Sequence, residues 1–226
     1  MTMLIIGWAG LFFALPAGAD VSWLSQTDAT SGLKAALQKG STAAVSKLGV
    51  TDGFFGNPKV KLPLPDSLQK IEKGLKFLGM QKQADELVLA MNRAAEAAVP
   101  EAKTLLIDAV KQMRVADAKK ILSGGDDAVT QYFKEKTQSP LAQKFLPIVK
   151  KATAQVGLAQ KYNALAGKGV QLGLVKEDQS TVERYVTAKA LDGLYLMIAE
   201  EERAIRSDPV GTGSAILQKV FGALKQ

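Results

Sequence analysis

Residues 81–113, QKQADELVLAMNRAAEAAVPEAKTLLIDAVKQM, hold a helical hydrophobic period across roughly nine turns, with Pro100 near the middle. A proline deep in a helix removes one backbone hydrogen bond, so it must kink this helix or split it in two. At 100° per residue Ala84, Leu87, Val88, Met91, Ala94, Ala95, Ala98, Ala102, Leu105, Leu106 and Ala109 share one wide face. Leu89 and Ile107 lie on the opposite side beside Arg93 and Glu96. Apolar residues on two sides predict a central helix covered on both. Periodicity elsewhere is also helical rather than alternating. The expected architecture is all-α: a single domain of about eight or nine helices, spanning 20–226, around this long kinked helix.

The other elements follow from their start and stop signals. A first helix is expected from about Thr27 to Leu48, with Leu33, Leu37, Ala44 and Leu48 on one stripe. Gly32 and Gly40 let neighbours approach closely, and Gly49 ends the helix. Residues 49–65, GVTDGFFGNPKVKLPLP, are the longest non-helical stretch. There Val60, Leu62 and Leu64 alternate with Lys59, Lys61 and Pro63, which leaves room for one short β-strand or hairpin near 58–64, at an edge because of the prolines. Asp66-Ser67 caps a helix reaching about Leu78. A short helix runs from Val115 to Leu122 and Gly124-Gly125 breaks the chain. Asp126-Asp127 open the next helix, where carboxylates suit the N-terminal dipole. Ser139-Pro140 starts another, kinked at Pro147, and Gly157 separates it from one ending near Gly167. The last long helix is expected from Thr181 to Ser207. A final amphipathic one carries Ile216, Leu217, Val220, Phe221 and Leu224 on one stripe.

Composition removes whole classes of chemistry. The 226 residues include no cysteine and no histidine. Disulfides, thiolate nucleophiles and Cys-based zinc sites go with the first; the commonest general base and metal ligand go with the second. The net charge of +7 comes from lysine spread along the chain, with arginine only at 93, 114, 184, 203 and 206. A dispersed lysine surface without interleaved aromatics argues against specific nucleic-acid binding. Residues 1–19, MTMLIIGWAGLFFALPAGA, carry no charged side chain and end in Ala17-Gly18-Ala19. That is the apolar run and small-residue cleavage site of a signal peptide, so cleavage after Ala19 and export to the periplasm are expected; an uncleaved N-terminal anchor is the alternative.

Polar residues on apolar faces mark candidate sites. Glu201 falls in the middle of the stripe formed by Ala190, Leu191, Leu194, Met197, Ile198 and Ile205, with Glu200 and Glu202 on its flanks. A carboxylate so placed must be partly buried and paired with an arginine, a lysine or helix-end amides, and Arg93 is the first candidate. Asn92, Arg93 and Glu96 sit on adjoining faces of the central helix. Together with Glu201 and Arg206 they form a candidate polar cluster, either an ion-pair network that fixes register or the floor of a pocket. Phe54 and Phe55 form a candidate partner-binding loop, unless they tuck onto the core. Two Ser-x-x-Lys matches, Ser31/Lys34 and Ser67/Lys70, lack companion motifs and occur at about the chance level. No catalytic residues, metal ligands or cofactor are assigned. The leading expectation is a non-enzymatic binder of an apolar small molecule or an envelope protein, with a cavity lined by residues such as Leu89, Ile107, Phe133 and Met197. A carboxylate-dependent enzyme using Glu96, Glu201 and Arg93 is the alternative.

Several stretches taken in order, NRAAE (92–96), ILSGGDDAVTQYF (121–133), FLPIV (145–149), KALDGLYLMIAEEERAIRSDP (189–209) and LQKVFG (217–222), resemble the DUF4197 family. The similarity extends over essentially all of residues 20–226. It implies an exported, all-helical protein of Gram-negative bacteria and implies no activity.

Overall fold

A computed structural model describes residues 24–70, 79, 81–114, 116, 118–154, 156–157, 159–164 and 176–225. The fold is all-α, and among the described residues there is no strand. Helix α1 (Gln26–Leu48) opens with Ser25 as its cap, the hydroxyl accepting from Asp28 N at 2.9 Å, and closes with Gly49 N donating to Val45 O at 2.8 Å. There follow α2 (Asp66–Lys70), α3 (Gln81–Gln112), α4 (Ala118–Leu122) and α5 (Ala128–Thr153). A 3-10 turn (Glu177–Gln179), α6 (Val182–Ser207) and α7 (Ala215–Ala223) complete the order, and residues 159–164 are also helical.

The four long helices pack as a ring in chain order: α1 on α3, α3 on α5, α5 on α6, and α6 back on α1, with α3 also touching α6 across the middle. Successive neighbours run antiparallel. Lys34 bonds Lys111 O while Gly49 meets Pro100, and Thr153 reaches Glu183 while Thr130 reaches Glu202. The predicted α3 face forms the core, with Leu87, Met91, Ala94, Ala95, Ala98, Ala102 and Leu106 fully buried. The second apolar side differs from expectation: Leu89 is exposed and Ile107 only partly covered, because neighbours reach that side only near Asn92, Glu96 and Val99. Small residues set two of the close contacts. A Cβ at Gly32 would stand 2.6 Å from Val220, so its absence seats α7 on α1, and one at Gly40 would stand 3.3 Å from Ile198 of α6.

Prolines do not divide the helices. Helix α3 continues through Pro100, and α5 is one helix through both Pro140 and Pro147, where a new start at Ser139-Pro140 was expected. Pro140 and Pro147 are seven residues apart on one exposed face, so the carbonyls they leave without a partner look outward, where water can satisfy them. The short helix is described over Ala118–Leu122, and its expected start at Val115 lies outside the described residues. The signal-peptide segment 1–19, the rest of the helix toward Leu78 and the helix end near Gly167 lie outside the described residues.

The predicted strand near 58–64 is corrected in kind. Helix α1 ends level with Pro100, short of the N-terminal halves of α3 and α6, and residues 50–65 fill the vacant slot as turns followed by an extended stretch. The alternation holds: Val60, Leu62 and Leu64 are buried while Lys59, Lys61 and Pro63 are exposed. The neighbour is a side chain instead of a strand. Asn92 Oδ1 accepts from Leu62 N and Asn92 Nδ2 donates to Leu62 O, both at 2.9 Å, which is the pairing a second strand would supply.

Candidate functional site

The polar residues of α3 hold this slot together. Asn92 is fully buried, and Glu96 is 5% exposed. Glu96 Oε1 accepts from the backbone N–H groups of Phe54 (3.1 Å) and Phe55 (3.0 Å), and Oε2 takes Arg93 Nη1 at 2.6 Å. Arg93 Nη2 continues to Asp52 Oδ1 at 2.8 Å; Asp52 stands in the left-handed region, with φ of 65°. Hydrogen bonds to Glu96 and then to Asp52 raise the Arg93 pKa further and hold its charge. Phe54 is fully buried against Gly193, where a Cβ would come within 2.8 Å of the ring. Phe55 is half-buried beneath Lys61, whose Nζ lies 4.1 Å from the ring centroid. The Phe54-Phe55 tip is therefore tucked onto the core and is not a free docking element. Tyr185 closes the far end by donating to Pro63 O at 3.1 Å, and burial pushes its hydroxyl up to about 12.

The glutamates of α6 divide differently from expectation. Glu201 is partly buried and paired, but with Lys47 of α1 at 2.7 Å rather than with Arg93. The deeply buried carboxylate is its neighbour Glu202, 3% exposed. It accepts from Thr130 N (2.8 Å), Thr130 Oγ1 (2.7 Å) and Val129 N (3.2 Å) at the start of α5. On its other side Arg206 donates through Nε and Nη2 at 3.0 and 2.9 Å, and Arg206 Nη1 also reaches Leu122 O. Asp127 stands at the cap position of α5 without capping it, bonding Arg203 instead; the anion on this helix dipole comes from α6. The expected single cluster of Asn92, Arg93, Glu96, Glu201 and Arg206 is thus three separate arrangements. Glu202 was missed because α6 is buried around most of its circumference, between α1, α3 and α5, so no narrow stripe singles out one glutamate. The available signal was the i,i+4 pairing of Glu202 with Arg206 and its place three residues before the buried Ile205.

The predicted cavity is also corrected. Met197 and Phe133 are packed in the core, Ile107 is partly covered and Leu89 faces solvent, so these four enclose nothing. Among the described residues an open groove lies between α3 and α5. Its main part, about 720 Å³, is lined by Pro100, Glu101, Thr104, Leu105, Asp108, Ala109 and Gln112 from α3 and by Lys136, Thr137, Pro140 and Lys144 from α5. It runs on past Met113 and Tyr132 to a further hollow of about 620 Å³ at α4, lined by Arg114, Ala116, Lys120, Ile121, Ala128 and Glu135 among others. Beneath its floor the Tyr195 hydroxyl donates to Thr137 Oγ1 at 2.6 Å, since the single Thr137 proton goes to Phe133 O. Burial pushes this tyrosine up to about 12. Among the described residues no three acidic side chains stand close enough to hold a metal ion, and no helix is long and apolar enough to cross a membrane.

No curated protein and no solved structure gives a significant match to this chain. The profile of one family, described as a protein of unknown function (DUF4197), matches residues 23–222, nearly the whole sequence. The chain belongs to the DUF4197 family.

Proposed function

We propose that this is a non-enzymatic binding protein of the bacterial cell envelope that holds a protein partner in the groove between α3 and α5. The observation that carries this reading is the groove itself, open along its length, floored by half-buried Leu105, Ala109, Met113 and Tyr132 and rimmed by charge. An open, charge-rimmed trough suits a protein surface better than a small apolar molecule, which needs enclosure. The carboxylate-enzyme alternative receives less support, because Glu96 and Glu202 hold their own chain's backbone and arginines and Glu201 holds Lys47. Export is supported by the apolar, uncharged residues 1–19. The test is photo-crosslinking in cells, with a photoreactive phenylalanine analogue at Thr104 or Gln131 in the groove and at the exposed Val210 outside it. A discrete protein adduct from the groove positions alone is expected. No adduct, or the same adducts from Val210, refutes the reading.

A further inference from the structure

We infer that the occupant of the groove is a second copy of this chain, seated about a twofold axis that runs along the helices. The inference rests on the groove being a protein-binding surface and names its partner. The two rims carry opposite charge at matching levels. Because α3 and α5 run antiparallel, Glu101 of α3 is level with Lys144 of α5 and Asp108 is level with Lys136. These charges do not satisfy one another inside the molecule. Asp108 has only Lys111, at 3.7 Å on its own helix, and among the described residues no ion pair spans the groove.

A twofold axis parallel to the helices places α3 of one copy on α5 of the other and keeps every level. Glu101 then meets Lys144 and Asp108 meets Lys136, each pair formed twice. An axis across the helices would set α3 on α3, acid against acid. A twofold interface must be complementary to itself, and this surface is, at both of these levels. The same docking covers the half-buried Leu105, Ala109 and Met113, which the monomer leaves at the surface.

The experiment is sedimentation equilibrium on the full chain as purified, on the variants Glu101→Lys/Asp108→Lys and Lys136→Glu/Lys144→Glu, and on their mixture. All four sites are exposed or half-exposed, so both variants keep the wild-type circular dichroism. Wild type is expected to be a dimer. Each variant alone sets like charges against each other and dissociates about a hundredfold more readily, while the mixture, with both rims matched again, re-forms a dimer. A monomeric wild type, dimeric variants or a mixture that stays monomeric overturns the inference. If the groove crosslinks to a different protein while the wild type is monomeric, the binding reading stands and the second copy falls. With no crosslink and no dimer, both fall.

Discussion

Adjacent glutamates at the end of α6 should respond to the same substitution to very different extents. Replacing Glu202 by alanine removes the acceptor for Val129 N, Thr130 N and Thr130 Oγ1 and strands the Arg206 guanidinium, whose side chain is 12% exposed. Deleting one partner of a buried pair costs about 3–5 kcal/mol, because the remaining charge loses its compensation. That is a large share of the roughly 5–15 kcal/mol of a typical domain, and for a chain of this size it lowers Tm by about 6–20 °C. Glu201→Ala breaks only the pair with Lys47, whose side chain is 53% exposed, and should cost under about 1 kcal/mol. The assay is urea unfolding at neutral pH followed by circular dichroism, comparing midpoints at constant slope. In Glu202→Ala/Arg206→Ala the stranded charge is gone, so the double variant should be less destabilised than the sum of its singles. A loss below about 1 kcal/mol for Glu202→Ala, or an equal loss for Glu201→Ala, refutes the assignment of Glu202 as the cap of α5.

Asn92→Leu keeps the volume but leaves both backbone groups of Leu62 buried without partners, for a loss of about 2–4 kcal/mol. Amide hydrogen exchange should quicken at residues 54–62 and stay unchanged in α1; uniform quickening, or none, counts against the strand-mimic role. Tyr185 and Tyr195 ionise only near 12 in the folded chain against an ordinary value of 10, so the stability they contribute is intact below pH 10 and is lost as pH rises through about 12. Phenolate absorbance followed together with circular dichroism should show these two ionising only as the helices melt. Complete tyrosine titration near pH 10 with the helices intact would refute the burial argument.

Much of the fold was legible in the sequence because helical period and end signals are local. The face of α3, the stripe of α1 ending at Gly49, the Thr181 start of α6 and the apolar stripe of α7 all appear where the pattern puts them. The inward alternation of Val60, Leu62 and Leu64 was legible too, but not what it pairs with. Period-2 patterning reports which side is buried and says nothing of whether a strand or an asparagine lies opposite.

The sequence by itself determined an all-α chain without thiol or imidazole chemistry and with polar residues that burial would force into pairs. Tertiary structure alone decided the pairs. Glu96 holds the turn at Phe54, Glu202 holds the start of α5 and Glu201 holds Lys47, because α1 stops short and residues 50–65 fill the slot between α3 and α6. A helical wheel gives the direction of each side chain around its own axis. Which charge or amide stands at the end of that direction depends on where neighbouring helices stop, and that is settled by packing among residues far apart in the chain.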